Sequence, residues 1–325
     1  MKAKLSKRLL PWLFLTPLII TIIFAWIAPM ILTVYLSFTD LSIKNFLPFI
    51  ENFASPKVKI TLDNFEKIIS RHDPYINEVI MTTAIYVSSV LFINAIYSLF
   101  LSICIAFFVK KEVISMFLRV SWLIPRIMPG IIYALMWNWF IDPKYGLMNA
   151  MLMAVGVPKE WLPSSWLLDK PYSLMLMIIV NGYVGASFGM IVYTAAIKSI
   201  PPDLINAARV DGASDFQVVK YIILPLLKWS IMFVTAWQTL SLLASYEQIL
   251  MIWGAGGGGG IAGIAKAAGV MVWALYSYTK AFYDYEYGYA SAISLIIVIV
   301  GVIVISLYFK IFGFKRMMVT SKIEV

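Results

Sequence analysis

Six long apolar stretches decide what this chain can fold into. They run roughly over Trp12–Phe38, Val79–Val109, Phe117–Ile141, Tyr172–Ile197, Trp229–Trp253 and Tyr289–Phe312. Each reaches the ~20 residues that a helix needs to cross a bilayer core. Inside lipid, the backbone must satisfy its own polar groups, and a helix does so within one segment. Composition agrees: of 325 residues, 61% are hydrophobic and 13% charged, too apolar for a disordered chain or an ordinary soluble enzyme. The expectation is an all-α membrane protein, one domain over 1–325, with six transmembrane helices. Lys2, Lys4, Lys7 and Arg8 precede the first stretch as in a signal peptide. That stretch is too long for one and lacks an A-x-A site, so it reads as a retained helix.

Six spans put both termini on one side. The amino-terminal tail, the 110–119 turn, the 198–228 loop and the carboxy-terminal tail hold 15 Lys and Arg; the three other loops hold 10. Basic residues collect on the cytoplasmic side, so both termini are predicted cytoplasmic in a plasma or inner membrane. The net charge of +9 therefore reflects orientation in a membrane lipid surrounding. No basic run resembles a nucleic-acid tail, and nucleic acid is not an expected partner. Cys104 is the only cysteine and His72 the only histidine. An intrachain disulfide and a His-rich zinc site are thereby excluded. A catalytic triad would need His72, which lies in a polar loop without G-x-S-x-G context.

The loop between the fourth and fifth stretches is the most ordered polar segment. Pro201 and Pro202 suit a first helical turn. Gly212 suits a left-handed stop, and Ser214 with Gln217 forms an S-x-x-Q capping box for a second helix. Pro225 precedes the return to the membrane. Ala207, Ala208, Gly212 and Ala213 leave a surface of small side chains that a partner's groove could approach closely. On spacing alone, a solvated connector is an equal reading.

Asn206-Ala207-Ala208, then Asp211-Gly212-Ala213, then Ile222-Ile223-Leu224-Pro225 resemble the EAA loop of bacterial and archaeal ABC importer permeases, in the sugar-type branch. The likeness extends to Pro29, Ser37-Phe38-Thr39-Asp40, Ile124-Pro125, Trp137-Asn138-Trp139-Phe140, Asp142-Pro143, Gly146-Leu147-Met148-Asn149 and Gly288-Tyr289-Ala290-Ser291-Ala292. The resemblance implies a type I importer permease whose loop 199–226 docks into an ATPase through Asn206, Ala207, Ala208, Asp211, Gly212, Ala213, Leu224 and Pro225. It also implies a second related permease, a pair of ATPase subunits that carry ATP and Mg, and an extracytoplasmic binding protein. No cofactor, metal or catalytic residue is expected on this chain. Two departures stand out. Asn206 replaces the family's Glu, which removes any ion pair made there. Gly254-Ala255-Gly256-Gly257-Gly258-Gly259-Gly260 replaces a shorter G-G-P. That run lacks the terminal G-K-[ST] of a phosphate loop and reads as an outer hinge or a spacer.

Polar groups within apolar stretches cost free energy, roughly 2.5–3.5 kcal/mol for a central charge, and so point to function. Arg126 is expected to snorkel to the cytoplasmic interface, and Glu247 lies near the outer end of the fifth stretch. Asn181, Gly185 and Phe188 share one helix face at i, i+4 and i+7. An amide, a small residue and a ring suit a sugar's hydroxyls and its apolar C–H face. Gln238, Ser241, Ser245 and Tyr246 repeat the pattern in the fifth stretch. In the family the sugar is held by the spans that flank the EAA loop, which makes these seven the candidate substrate contacts; helix packing is the competing role for each. Three other readings stay open: an ion-coupled secondary transporter, a membrane-embedded enzyme on a lipid-linked sugar, and a purely structural scaffold. The first requires coupled intramembrane carboxylates and repeats, and Glu247 is the only acidic residue within a stretch. The second requires an acidic metal or phosphate motif; Asp284 and Glu286 are the nearest pair.

Overall fold

A computed structural model describes residues 2–51, 58–254 and 260–313, of which 2–11 and 260–262 are described by backbone alone. Ala255 to Gly259 of the glycine run and the tail residues Lys315, Arg316 and Lys322 lie outside the described residues. Every extended element among the described residues is a helix; Thr39 and Ile60 form an isolated antiparallel bridge. The main helices are α1 (Trp12–Ser37), α2 (Ile76–Phe108), α3 (Glu112–Ile127), α4 (Gly130–Phe140), α5 (Tyr172–Lys198) and α6 (Pro202–Val210). They continue as α7 (Asp215–Leu226), α8 (Lys228–Leu243), α9 (Glu247–Gly254), α10 (Gly260–Ala268), α11 (Trp273–Phe282) and α12 (Tyr287–Phe312).

Four of these, α1, α2, α5 and α12, are single helices long and apolar enough to cross a membrane. The third and fifth stretches differ from the sequence expectation. α3 and α4 meet at 95°, because Pro129 offers no N–H and holds Met128 in an extended conformation, which no helix can continue through. α7 and α8 meet at 63°, just after Pro225. α8 then stops at Leu243, where the expectation ran to Trp253, and α9 restarts at Glu247. A carboxylate in the first turn favours that restart. Six spans result if each bent pair counts as one.

The chain folds as two compact units. One comprises Met1–Ile76 and Ser277–Ile296. Its α1 is apolar on all sides and, before the buried Ser37 at its end, unburied in this chain, as a lipid-facing helix is. Thr16, Thr21 and Thr33 return their hydroxyl protons to carbonyls one turn back, which spares them from lipid. The Ser37–Asp40 motif anchors the polar segment that follows. Asn64 Nδ2 donates to the Ser37 and Thr39 carbonyls at 3.0 and 2.8 Å, and Asp40 Oδ1 accepts the Lys59 N–H at 2.9 Å. The Gly288 N–H donates to the Leu41 carbonyl, and the Tyr289 hydroxyl to Asp73 Oδ2 at 2.8 Å. Lys280 contacts Asp284 at 2.9 Å and Glu286 at 3.3 Å. Burial works against its charge, yet the Asp284 hydrogen bond and the Glu286 carboxylate outweigh it and raise its pKa.

The second unit, Asn77–Tyr276 and Ile297–Val325, holds α2, α5, both bent pairs and the later part of α12. The motif after α4 proves to be a turn lock. Asp142 Oδ1 accepts the Lys144 and Tyr145 N–H groups at 2.9 and 2.7 Å. Asn149 donates to the Pro143 carbonyl and accepts the Trp166 indole N–H at 2.8 Å. Such side-chain-to-backbone bonds hold a turn that no helix or strand ladder supports.

Candidate functional site

Two features of the second unit bring together the residues singled out in the sequence. The first is the 199–226 loop. α6 starts after Pro201 and ends in a Schellman motif: the Ala213 N–H reaches the Ala208 carbonyl at 2.9 Å and the Gly212 N–H reaches that of Arg209 at 3.1 Å. Gly212 has φ +85°, a conformation that L side chains rarely adopt. The capping box forms as expected: the Ser214 N–H donates to Gln217 Oε1 at 2.7 Å and the Gln217 N–H to Ser214 Oγ at 3.3 Å. Arg209 pairs with Asp215 at 2.9 Å across the turn and lies 5.6 Å from the Phe107 ring centroid. Ile197, Ile200, Val218, Ile223 and Leu227 form a buried core under the loop, joined by Leu99, Ile103 and Phe107 of α2. The loop is therefore a rigid extension of α2, α5 and α8.

Its candidate residues divide by face. Ala208, Ala213 and Leu224 are half-buried on that core. Asn206, Ala207, Asp211, Gly212 and Pro225 are exposed, beside outward-facing Val210 (86% exposed) and Phe216 (73%). The loop thus holds these two apolar side chains outward among exposed polar ones. The cap is measurable: Ser214→Ala is expected to cost about 1 kcal/mol of local helix stability, read as faster amide exchange over 215–218 with exchange in α5 unchanged.

The second feature is an open cavity of about 290 Å³, near the lower limit of typical ligand sites at roughly 300 Å³. All seven candidate contacts line it: Asn181, Gly185 and Phe188 from α5, Gln238 and Ser241 from α8, and Ser245 and Tyr246 from the break after α8. The break thus serves the site, turning the Ser245–Gln248 segment onto the cavity wall. A wall of amides runs across three helices. Gln238 Nε2 donates to the Gly185 carbonyl at 2.9 Å, which fixes the orientation of that amide. Gln238 Oε1 then faces Asn94 and accepts from its Nδ2 at 2.7 Å. Asn94 fits there because residue 185 is glycine: a Cβ at Gly185 would run into the Asn94 amide. Asn181 is buried and donates to the Met177 carbonyl one turn back at 3.0 Å.

The opposite character comes from rings. Phe188 and Trp237 stack at 6.0 Å with 27° between planes, and Trp237 is 53% exposed. Arg126 stands 5.5 Å from the Phe188 centroid and lines the cavity. At the end of α3, next to the bend, its guanidinium rests on an aromatic face that also lines the cavity. Glu247 also lines the cavity. Asn94 and Trp237 were missed in the sequence. An amide between Ile93 and Ala95 in an apolar stretch was the available signal for Asn94; Trp237 carried none, because a tryptophan in a span reads as packing. A larger recess of about 570 Å³ between α8 and α12 has Ser306 as its one polar lining residue and suits apolar chains. His72 lies elsewhere, in an exposed loop with Ser70 Oγ at 2.6 Å from its Nδ1. Among the described residues, no three His, Cys, Asp or Glu side chains are grouped to hold a metal ion.

A family model described as "Binding-protein-dependent transport system inner membrane component" matches residues 98–316, which take in the loop and the cavity. The chain is 28% identical over 230 residues to the probable starch degradation products transport system permease protein AmyD of Thermoanaerobacterium thermosulfurigenes, covering 70% of each chain. It is 33% identical over 151 residues to the trehalose/maltose transport system permease protein MalF of Thermococcus litoralis, covering 46% of this chain and 50% of that one. Its fold matches a chain from the crystal structure of a bacterial ABC transporter involved in import of the acidic polysaccharide alginate. That match has a TM-score of 0.77 at 22% identity, covering 98% of this chain and 99% of the other.

Proposed function

Since the chain belongs to the family of binding-protein-dependent transport system inner membrane components, we propose that it is the membrane-spanning subunit of an ATP-driven importer that translocates a sugar or oligosaccharide. The observation that carries the substrate reading is the cavity, which seven residues chosen for sugar chemistry line, Phe188 among them stacked on Trp237. Amides and hydroxyls meet sugar hydroxyls, and aromatic faces cover the C–H face of a pyranose. Both relatives described above are named as transport permeases for starch degradation products and for trehalose and maltose.

In this reading both termini and the 199–226 loop face the cytoplasm. ATP and Mg bind separate ATPase subunits, so this chain is not itself an enzyme. A second related permease completes the pathway, and an extracytoplasmic binding protein delivers the substrate. The outward face around Asn206, Val210 and Phe216 enters a cleft of the ATPase. Because the loop is packed against α2, α5 and α8 and its turn is locked by its own hydrogen bonds, closure of the ATPases on ATP moves those helices as a body. The cavity is then exposed to one side of the membrane or the other, a two-state element biased by ATP at one site and by sugar at another.

The test is isolation of the tagged chain in mild detergent from cells that express its own operon. An ATPase, a second permease and sugar-stimulated hydrolysis are expected to co-purify with it. A chain that purifies alone and moves solute with an ion gradient contradicts the proposal.

A further inference from the structure

Arg126 and Glu247 are the two charged side chains that line the cavity. Both are exposed to it. Neither makes an ion pair or a side-chain hydrogen bond among the described residues, with each other or with a third group. Their positions explain how they are tolerated apart. Arg126 sits in the last turn of α3, where the helix dipole favours a cation, and leans on the Phe188 ring. Glu247 opens α9, where the dipole favours an anion. Two opposite charges kept in reach of one cavity and out of reach of each other form a pair waiting for a bridge.

We propose that one uncharged sugar unit is that bridge. The guanidinium donates to the sugar's ring and hydroxyl oxygens, since Arg has donors only; the carboxylate accepts hydroxyl protons, since an ionised Glu has acceptors only. A hydroxyl both donates and accepts, so a neutral polyol satisfies both ends. A uronate can pair with Arg126 but brings a second negative charge within reach of Glu247, and an amino sugar can pair with Glu247 but brings a second positive charge within reach of Arg126. Arg126 and Glu247 thus select the charge of the substrate, a specificity that goes beyond the saccharide reading and rests on it.

The test uses the complete importer complex in lipid nanodiscs without its binding protein, so that the selectivity measured is that of the membrane cavity. The probes are radiolabelled neutral gluco-oligosaccharides, the same sugars oxidised to carboxylates at C6, and their 2-amino-2-deoxy counterparts. The wild type is expected to bind the neutral sugars best. Glu247→Gln is expected to gain uronate binding and Arg126→Gln to gain amino-sugar binding. Each switch is roughly 10- to 100-fold relative to the neutral probe, the size of a charge-assisted hydrogen bond. A structural role for either residue weakens all three probes alike and gains nothing. Variants that keep the wild-type order overturn the proposal, as does a wild type that binds uronates as tightly as neutral sugars; that last result decides the matter even if a variant fails to assemble. Binding of none of the probes by an assembled wild-type complex overturns the saccharide reading itself.

Discussion

Gly185→Ala is expected to weaken saccharide binding by roughly tenfold or more, because one added methyl breaks a buried hydrogen-bonded chain worth about 1–3 kcal/mol for each polar group left unpaired. A Cβ at this position overlaps the Asn94 amide, and that amide has no room to retreat, being fully buried and bonded to Gln238. Its displacement frees Gln238 Oε1 and shifts the Gln238 bond to the Gly185 carbonyl, so three helices lose their shared connection. The melting temperature of the complex falls with it. Gly182→Ala is the control one turn earlier. There the Cβ meets an Ile93 methyl at 3.2 Å, a contact that small side-chain movement relieves. Equal effects from the two substitutions would show that the amide chain does not organise the cavity.

Gly212→Val is expected to cut sugar-stimulated ATP hydrolysis by about tenfold or more, whereas Gly212→Asn keeps it within about twofold, since Asn tolerates the left-handed region and a β-branched residue does not. A side chain at 212 meets nothing within 4 Å, so the difference between Val and Asn arises from the backbone alone. With φ forced negative, the Schellman bonds from Ala213 and Gly212 cannot both form, and the Arg209–Asp215 bridge across the turn loses its geometry. The core beneath the loop stays packed, which keeps the protein folded while the proposed contact with the ATPase is misaligned. Hydrolysis assays on purified complexes of equal composition separate the two variants. If Val and Asn behave alike, the turn geometry is not what couples the loop.

Much of this was legible in the sequence, because local rules and tertiary structure agree at those places. The Ser214–Gln217 box and the Gly212 stop are encoded within a few residues of the atoms they bond. The four continuous spans were legible because hydropathy sums along a helix. The bends were not. Met128-Pro129 and Ala244-Ser245 interrupt the helices without interrupting apolar composition enough to register. Those same bends position the charged residues of the cavity, which is why the places of Arg126 and Glu247 escaped a reading of spans as straight rods. Asn94 escaped for a different reason: its partner, Gln238, lies 144 residues along the chain, and only the fold brings the two together.

If the 199–226 loop is the contact through which ATP moves this protein, site-directed cross-linking captures it. In a Cys104→Ser background, Val210→Cys places one thiol at the exposed tip of the loop. A short bifunctional reagent should link it to the ATPase subunit of the intact complex, in a yield that changes when ATP is bound. An intact, ATP-hydrolysing complex in which Cys at position 210 links to nothing, or in which α1 links to the ATPase instead, would contradict the account.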